Sequence, residues 1–182
     1  MNTQGYKEKI QKFTKKDLIN LWKEIIDQKT ENWSDGKALE FLILRAFDLE
    51  GAKVRWPYTV KVGDEIVEQI DGAVHLLNYN LSILIECKDY SSKINIDPIA
   101  KLRNQLLRRS SNAIGAVFTT TKYTEASLLL SQFLAPQTII LWEKDNIEFC
   151  LNEGSFSEGM LLKYRHAIEE GITNYDISTS KI

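Results

Sequence analysis

The sequence is poor in the residues that mark several common classes of protein. It contains two cysteines, Cys87 and Cys150, which lie far apart and outside any metal-ligand spacing. Their placement argues against a disulfide framework and against a structural zinc site. The two histidines, His75 and His166, show no partner in the sequence that would support histidine-based catalysis.

Long hydrophobic runs and an excess of one charge are also absent. No apolar stretch approaches the roughly 20 residues of a membrane helix, and the start MNTQGYKEKI lacks the hydrophobic core of a signal peptide. With 23 Lys and Arg against 25 Asp and Glu, the net charge of -2 gives no overall positive field. Any contact with nucleic acid must therefore depend on local patches. We expect a soluble, cytoplasmic protein.

The sequence does contain enough apolar material for a folded domain. Of its 182 residues, 43% are hydrophobic, and we find no internal repeat and no low-complexity segment. Helical spacing of apolar residues predicts one helix over 15–28 and another from about 34 to 51. We expect residues 1–32 to form a helical extension packed on a core domain of residues 33–182.

Strand patterns fill the middle of the chain. The segments KVRWPYTVKV and EIVEQIDGAVHLL are joined by Gly63-Asp64, which predicts a hairpin. The NYN sequence at 78–80 predicts a turn into the strand LSILIECK. Three consecutive strand regions are therefore expected before the next helix.

The second half of the chain alternates helices and strands. Asp97 as a cap followed by Pro98 predicts a helix that continues to about Arg109. AIGAVFTT predicts a strand, EASLLLSQFL a helix, and TIILWEKDNIEFCL a strand or a hairpin around 144–146, before a final helix over about 157–170. This order predicts a single α/β domain with helices flanking a mixed sheet.

The strand LSILIECK ends in charged residues where its pattern calls for apolar ones. Because side chains alternate between the faces of a strand, Glu86 and Lys88 point the same way, away from a core-facing row. Alternation on the preceding strand puts Asp71 on the polar face. Residues equally far from the centre of the turn at 78–80 should pair, which places Asp71 opposite about residue 87. Asp71 is therefore expected beside Glu86 and Lys88. The predicted core rows are Leu81, Ile83, Ile85 and Cys87 on one strand and Ile70, Val74 and Leu76 on the other.

Two carboxylates brought this close repel each other unless a cation lies between them. A few oxygen ligands suit Mg²⁺, which Mn²⁺ can replace, because Mg²⁺ keeps several waters and shares its remaining sites with a phosphate. A lysine beside the pair can orient or help deprotonate a metal-bound water and can offset charge in the transition state. This chemistry fits the hydrolysis of a phosphodiester.

The sequence QIDG followed by IECK carries a specific resemblance. Asp71, followed 15 residues later by Glu86-x-Lys88, resembles the active-site signature of the PD-(D/E)xK nuclease superfamily. Within that superfamily, the motif residues QIDG and IECK are most similar to those of the catalytic domain of Mrr-like restriction endonucleases. The resemblance covers about residues 36–120 and implies a restriction-endonuclease-like αβββαβ core, here with an extra N-terminal helix and a C-terminal helix. It also implies that Asp71, Glu86 and the backbone carbonyl of Cys87 ligate metal and that Lys88 acts on the attacking water.

Two further residues belong to the implied site. Glu40, on the helix before the strands, matches a position where the superfamily often has an acidic residue, which implies a role in holding a second metal or a metal-bound water. Gln105 resembles a glutamine that some branches carry on the following helix, although Arg109 stands where those branches place an aromatic hydroxyl. Ile70 replaces the proline of the motif's name, a common variation.

The helix from residue 98 carries a basic stripe. Lys101, Gln105 and Arg108 recur at helical spacing, with Arg109 and Lys93 nearby. Such a stripe can bind the phosphate backbone, so we predict DNA contact by its lysines and arginines.

Several alternatives remain open at this point. Glu86 and Lys88 could form a surface ion pair, Asp71 could be a bend residue, and Glu40 could pair with Lys37. The predicted function is a Mg²⁺-dependent DNA endonuclease, a homodimer acting in restriction or defence against foreign DNA. The alternatives are a structure-specific DNA endonuclease of the junction-resolvase type and a catalytically idle nuclease-fold subunit that binds DNA or another protein.

Overall fold

The computed structural model describes residues 2–179. The helices are α1 (Thr3–Ile10), α2 (Lys15–Ile26), α3 (Lys37–Leu49), α4 (Asp97–Leu106), α5 (Glu125–Gln132), α6 (Lys144–Asn152) and α7 (Phe156–Glu170), with a short 3-10 helix at Ile177–Thr179. The strands are β1 (Lys53–Arg55), β2 (Tyr58–Val62), β3 (Glu65–Ile70), β4 (Gly72–Leu76), β5 (Leu81–Lys88), β6 (Ala113–Thr119) and β7 (Ile139–Trp142).

Five strands form the main sheet in the order β1-β4-β5-β6-β7, while β2 and β3 form a separate two-stranded sheet. β1, β4 and β5 pair antiparallel, whereas β5, β6 and β7 pair parallel. The parallel pairs require crossover connections, which α4 and α5 provide. The structure thus confirms the predicted mixed sheet flanked by helices.

Two helices precede α3 and pack on it. α2 begins with a capping box, in which the Thr14 backbone N–H donates to Asp17 Oδ2 over 2.8 Å. α1 has no counterpart in the sequence-based assignment. It begins at Asn2, whose side chain accepts from the Gly5 N–H, and it buries Tyr6 and Ile10 in the same hydrophobic cluster as α3. The predicted domain boundary at residue 32 stays a prediction.

The strand region between α3 and β5 differs from the sequence-based assignment. Gly63 and Asp64 do join an antiparallel hairpin, of β2 with β3. However, the two predicted long strands are each divided, at Trp56-Pro57 and at Asp71, so their outer parts β1 and β4 belong to the main sheet. Pro57 cannot donate a ladder hydrogen bond, which explains the first break.

The break at Asp71 corrects one predicted core row. Ile70 was expected to share a face with Val74, but it packs with Ala73 and Leu84 in a second hydrophobic cluster. Ile70 ends β3, whose pairing with β2 sets its orientation, so the alternation does not continue from Ile70 into β4. The other predicted core residues lie as expected, in one cluster with α3: Val74, Leu76, Leu81, Ile83, Ile85 and Cys87.

The register of β4 and β5 agrees with its prediction to within one residue. Gly72 pairs with Ile85, so the next position in the register places Asp71 opposite Glu86. The face that carries Glu86 is not polar throughout, because Leu84 packs beneath α4 together with Leu102. Hydrophobic clusters therefore cover both faces of the sheet, and the polar residues gather at one end of the strands.

In the second half of the chain, some elements differ from their predicted type or bounds. Asp97 is the first residue of α4 and Ile96 takes the cap position, so Asp97 is not the cap, and α4 ends at Leu106 instead of near residue 109. Of the two alternatives predicted for TIILWEKDNIEFCL, the strand is confirmed as β7 and the hairpin around 144–146 is wrong, since β7 is followed directly by helix α6. The residues Ile147, Cys150 and Leu151 have helical spacing and bury one side of α6. The final helix is confirmed as Phe156–Glu170.

In the range 2–179, no helix has both the length and the apolar character needed to cross a bilayer.

Candidate active site

Asp71 is held at the end of β5 by a backbone hydrogen bond. Its Oδ2 atom accepts from the Cys87 backbone N–H over 2.9 Å, and its side chain is 7% exposed. Gly72, the next residue, lies against α3, because a Cβ atom there would come within 2.6 Å of Leu44 Cδ2. This close approach of α3 to β4 brings Glu40, one turn before Leu44, towards Asp71.

Glu86 is fully buried on β5 and is bound by two lysines. Lys88 Nζ lies 2.7 Å from Glu86 Oε1, and Lys101 Nζ on α4 lies 2.7 Å from Oε2. A buried carboxylate is expensive unless it is paired and hydrogen-bonded, and here both oxygens have a charged donor. The Lys101 side chain is 43% exposed, so it reaches Glu86 from the surface of the protein.

Glu40 is buried on the first turn of α3 and pairs with Lys37. Lys37 Nζ donates to the two carboxylate oxygens over 2.8 and 2.6 Å. Burial and then the charge of Asp71 raise the pKa of Glu40 to about 7, although Lys37 opposes the shift. The ion pair with Lys37 and the position near Asp71 therefore occur together, so the pair does not exclude Glu40 from the site.

The pKa shifts show that the three carboxylates lie within electrostatic reach of one another. Burial and then the charge of Glu86 raise the pKa of Asp71, which the bond from the Cys87 N–H lowers in part. The charge of Glu86 also contributes to the raised pKa of Glu40. For Lys88, burial is the largest single influence and lowers the pKa, but the charge and hydrogen bond of Glu86 and the charge of Asp71 together outweigh burial, so the pKa is raised. Lys88 is therefore a stable ammonium group.

The donor atoms at this end of the sheet fit a hard divalent cation. They are carboxylate oxygens that are buried close to one another, which makes their negative charge unfavourable and raises the pKa values of Glu40 and Asp71. A cation among them would offset that charge. Asp71 uses one oxygen for the Cys87 N–H, which leaves the other for a further ligand. Among residues 2–179, no three His, Cys, Asp or Glu side chains are grouped closely enough to enclose a metal ion. Metal binding by these residues stays a prediction.

Gln105 does not join the carboxylates in the same direct way. Its side chain is buried, and its Nε2 atom donates to the Gln69 backbone oxygen over 3.2 Å. Gln105 thus ties α4 to β3, close to the end of that strand. Its predicted catalytic role stays a prediction.

The predicted basic stripe is engaged mainly with the protein itself. Arg108 and Arg109 both pair with Glu68 on β3, whose side chain is only 3% exposed. Arg109 Nη1 lies 3.0 Å from Glu68 Oε1. Lys93 is exposed, whereas Lys101 is bound to Glu86. DNA contact by these four residues stays a prediction.

Sequence reasoning missed the pairing of Lys101 with Glu86 and the buried carboxylate of Glu68. A signal for the first was available, because a crossover helix between parallel strands must cover one face of the sheet. The helix after β5 is such a crossover, so one of its faces must point at the face of β5 that carries Glu86. Glu68 gave no such signal, since its burial depends on how the β2–β3 hairpin folds onto α4.

The arrangement of strands and carboxylates is that of a nuclease domain of the PD-(D/E)xK kind. Residues 32–149 match the sequence profile of a family of restriction endonuclease catalytic domains of the Mrr type, and this range is well over half of the chain. The chain therefore belongs to the Mrr-type restriction endonuclease family, a family of nucleases that act on DNA. No curated protein matches the sequence.

Two solved structures are similar to this fold. A protein of unknown function, AF1548, is 14% identical, with a TM-score of 0.46 over 79% of this chain and 70% of that one. The MspJI restriction endonuclease in complex with a 27-mer oligonucleotide is 15% identical, with a TM-score of 0.44 over 86% of this chain. This chain spans 35% of the length of the MspJI chain.

Proposed function

We propose that this chain is a divalent-metal-dependent endonuclease that hydrolyses phosphodiester bonds in DNA. The observation that carries the proposal is the placement of Asp71 opposite Glu86 at the end of β5, with Lys88 bound to Glu86 and with Glu40 close enough for the charge of Asp71 to raise its pKa. Buried carboxylates with raised pKa values cluster more often at functional sites than elsewhere. Membership of the Mrr-type family supports the same reaction.

Asp71, Glu86 and the backbone carbonyl of Cys87 would hold Mg²⁺ or Mn²⁺, and Glu40 would hold a second ion or a metal-bound water. When bound, the cation would lower the pKa of a water and offset negative charge on the phosphate. Both oxygens of Glu86 are bound by lysines in this structure, so Glu86 would exchange at least one of these contacts on binding a cation.

Lys88 would act as a hydrogen-bond donor while it is held by Glu86. Its pKa is raised, so the side chain keeps its proton, and an ammonium group cannot accept another. Glu86 holds Lys88 Nζ at 2.7 Å, which fixes the ammonium group beside the carboxylates. From there it would orient the attacking water or stabilise charge on the phosphate.

Lys101 would serve as the movable partner of Glu86. The two ammonium groups that bind Glu86 carry one more charge than the carboxylate needs for neutrality. The side chain of Lys101 is the more exposed of the two, at 43% against 21% for Lys88. Because Lys101 is already partly solvated, breaking its ion pair with Glu86 costs less free energy than breaking that of Lys88. Lys101 can therefore leave Glu86 and turn towards a substrate phosphate. This proposal accounts for its predicted DNA contact together with its observed ion pair.

The biological setting that we propose is restriction or another defence against foreign DNA, in the cytoplasm. This step rests on the family alone. We also propose a homodimer, because the cleavage of both strands of a duplex requires two catalytic sites or two successive binding events.

The direct test is cleavage of plasmid DNA by the purified protein in the presence of Mg²⁺ or Mn²⁺. We expect Asp71→Asn and Lys88→Met each to lower the rate by roughly 100-fold or more, as for the loss of a central catalytic group. Asp27→Asn is the matched control, since Asp27 is a surface residue with a 58% exposed side chain. Cutting that persists in Asp71→Asn would contradict the assignment.

Branched and single-stranded substrates in the same assay separate the alternatives. Preferential cutting of a four-way junction would favour a resolvase. Binding of DNA with no cutting of any substrate would favour an idle subunit. Thermal melting of each variant checks that the loss of activity is not a loss of folding.

A further inference from the structure

A pocket of about 390 Å³ lies on the face of the sheet that carries Glu86. Its walls come from β1, β2, β4, β5 and the loop after α4. Its polar or charged lining residues include Arg55, Tyr58, His75, Ser82, Arg109 and Asn112.

The pocket is separate from the carboxylate cluster. Ser82 lines the pocket and lies four residues before Glu86 on the same face of β5. At the rise of a β-strand, four residues correspond to about 13 Å. Leu84, between them, is covered by α4. A separation of about 13 Å is short enough for one strand of nucleic acid to contact both places.

The lining of the pocket is positive. It contains two arginines, and no Asp or Glu is among its lining residues. Arg109 is already bound by Glu68, but Arg55 has no ion pair with any described carboxylate in the range 2–179. The guanidinium carbon of Arg55 lies 3.6 Å from the centre of the Tyr58 ring. Stacking uses the flat face of the guanidinium and leaves its N–H edge for an anion.

The remaining lining residues offer hydrogen bonds and an apolar wall. His75 Nδ1 lies 2.9 Å from Ser82 Oγ, and burial followed by the charge of Arg55 lowers the pKa of His75. Asn112 adds an exposed amide, while Val60 and Leu84 provide apolar surface. These groups match the parts of a nucleotide. The cation suits the phosphate, the neutral ring and the amide suit the edge of the base, and the apolar wall suits the sugar. The volume is also within the usual range of roughly 300–1,000 Å³ for ligand pockets.

We infer that this pocket binds one nucleotide unit of a nucleic-acid strand, with the phosphate on Arg55 and the rest of the unit against Tyr58, Val60 and Leu84. The inference rests on the proposed function for the identity of the strand. It assigns Arg55 as a substrate-positioning residue distant from the cleavage chemistry. A free nucleoside monophosphate presents the same chemistry, and the experiment separates the two sources.

The test is the binding of a short fluorescein-labelled DNA strand, followed by anisotropy in EDTA so that no cleavage occurs. We expect Arg55→Gln to weaken binding by about tenfold, as for the loss of one charged hydrogen-bonding group. We also expect the slope of log affinity against log salt to fall by about 1, which is the signature of one lost phosphate contact. Arg55→Lys should keep that slope, because it keeps the charge.

Arg165→Gln is the matched control. Arg165 is 59% exposed on α7, which packs on the opposite face of the sheet, and the substitution makes the same change in charge. Arg55 is itself exposed, so Arg55→Gln leaves the core intact, and thermal melting checks this. Equal affinity and equal salt slope for Arg55→Gln and Arg165→Gln would overturn the inference.

Deoxyadenosine monophosphate is the second probe. If it competes with the labelled strand in the parent protein and not in Arg55→Gln, the pocket also accepts free nucleotides. If Arg55→Gln weakens strand binding while the monophosphate does not compete, the pocket accepts a nucleotide only within a strand. Because the assay contains no divalent ion, strand binding through Arg55 without Mg²⁺-dependent cutting would refute the proposed nuclease and leave the pocket assignment intact.

Discussion

Glu40 shows how a buried carboxylate in a proposed active site can reduce the stability of its own protein. Its carboxylate is buried on the first turn of α3 and lies near Asp71, and its pKa is raised to about 7. The pKa in the unfolded chain is near 4.5. The folded protein therefore binds more protons than the unfolded chain between about 4.5 and about 7, and the free energy of unfolding falls as pH rises through that window.

Glu40→Gln should remove this loss of stability while it keeps a hydrogen-bond acceptor for Lys37. We expect the variant to be more stable than the parent above pH 7 and to lose that advantage below about pH 4.5, because Glu40 is then protonated in both states. Urea unfolding across this range measures the difference. Glu169→Gln, at a 59% exposed surface position, is the control. A stability difference that does not change with pH would contradict the assignment of the raised pKa to Glu40.

At the residue scale, the sequence was informative where contacts follow from one strand and one turn. Asp71 beside Glu86 and Lys88 was predictable, because alternation and equidistance from the turn are local properties. The pairs Lys101 with Glu86 and Arg109 with Glu68 join residues 15 and 41 positions apart, through the packing of α4 on the sheet. Lys163 gave no signal either, although it is fully buried and donates to the Leu141 backbone oxygen over 2.9 Å.

At the scale of elements, the packing of α4 on β6 sets the position of Lys101. A Cβ atom at Gly115 would lie 2.7 Å from Leu102 Cδ2 and 2.9 Å from Leu102 Cγ, so α4 approaches the sheet here more closely than any larger residue would allow. Leu102 is fully buried and directly follows Lys101 in α4. The glycine thus permits the helix position from which Lys101 reaches Glu86.

Gly115→Ala should therefore destabilise the protein by overpacking, by about 1–3 kcal/mol. Leu102→Ala should also destabilise it, because the substitution leaves a cavity in the core. The double variant should be less destabilised than the sum of the two, since the smaller residue 102 makes room for the added methyl group. Urea unfolding of the three variants gives the coupling energy. Strict additivity would show that Gly115 and Leu102 do not restrict each other.

Element assignment from sequence failed where tertiary pairing decided the outcome. The β2–β3 hairpin was predicted from Gly63-Asp64, but its separation from the main sheet depends on Pro57 and on the bend at Asp71. The segment 144–152 has helical spacing of its apolar residues, yet the apolar run of β7 directly before it led to the prediction of a strand or a hairpin. α1 was missed because its apolar residues are few and become buried only through contact with α3.

At the scale of the whole molecule, two hydrophobic clusters cover the faces of the sheet and leave the carboxylates at one end of its strands. The larger cluster joins α1, α2, α3, α6 and α7 to one face, and the smaller places α4 on the other. Helices from both layers therefore contribute to the site, with Glu40 from α3 and Lys101 from α4. The fold class and the Mrr-type family agree with the sequence-based prediction because both depend on this order of elements and on the motif.

The account depends on Asp71 and Glu86 acting together as ligands of one hard cation. The most direct measurement is a titration of the protein with Mn²⁺, followed by the decrease of the electron paramagnetic resonance signal of the free ion. The account predicts saturable binding to the parent protein and to Asp27→Asn, and a large loss of that binding in Asp71→Asn. Equal binding to all three proteins, or none to the parent, would contradict it.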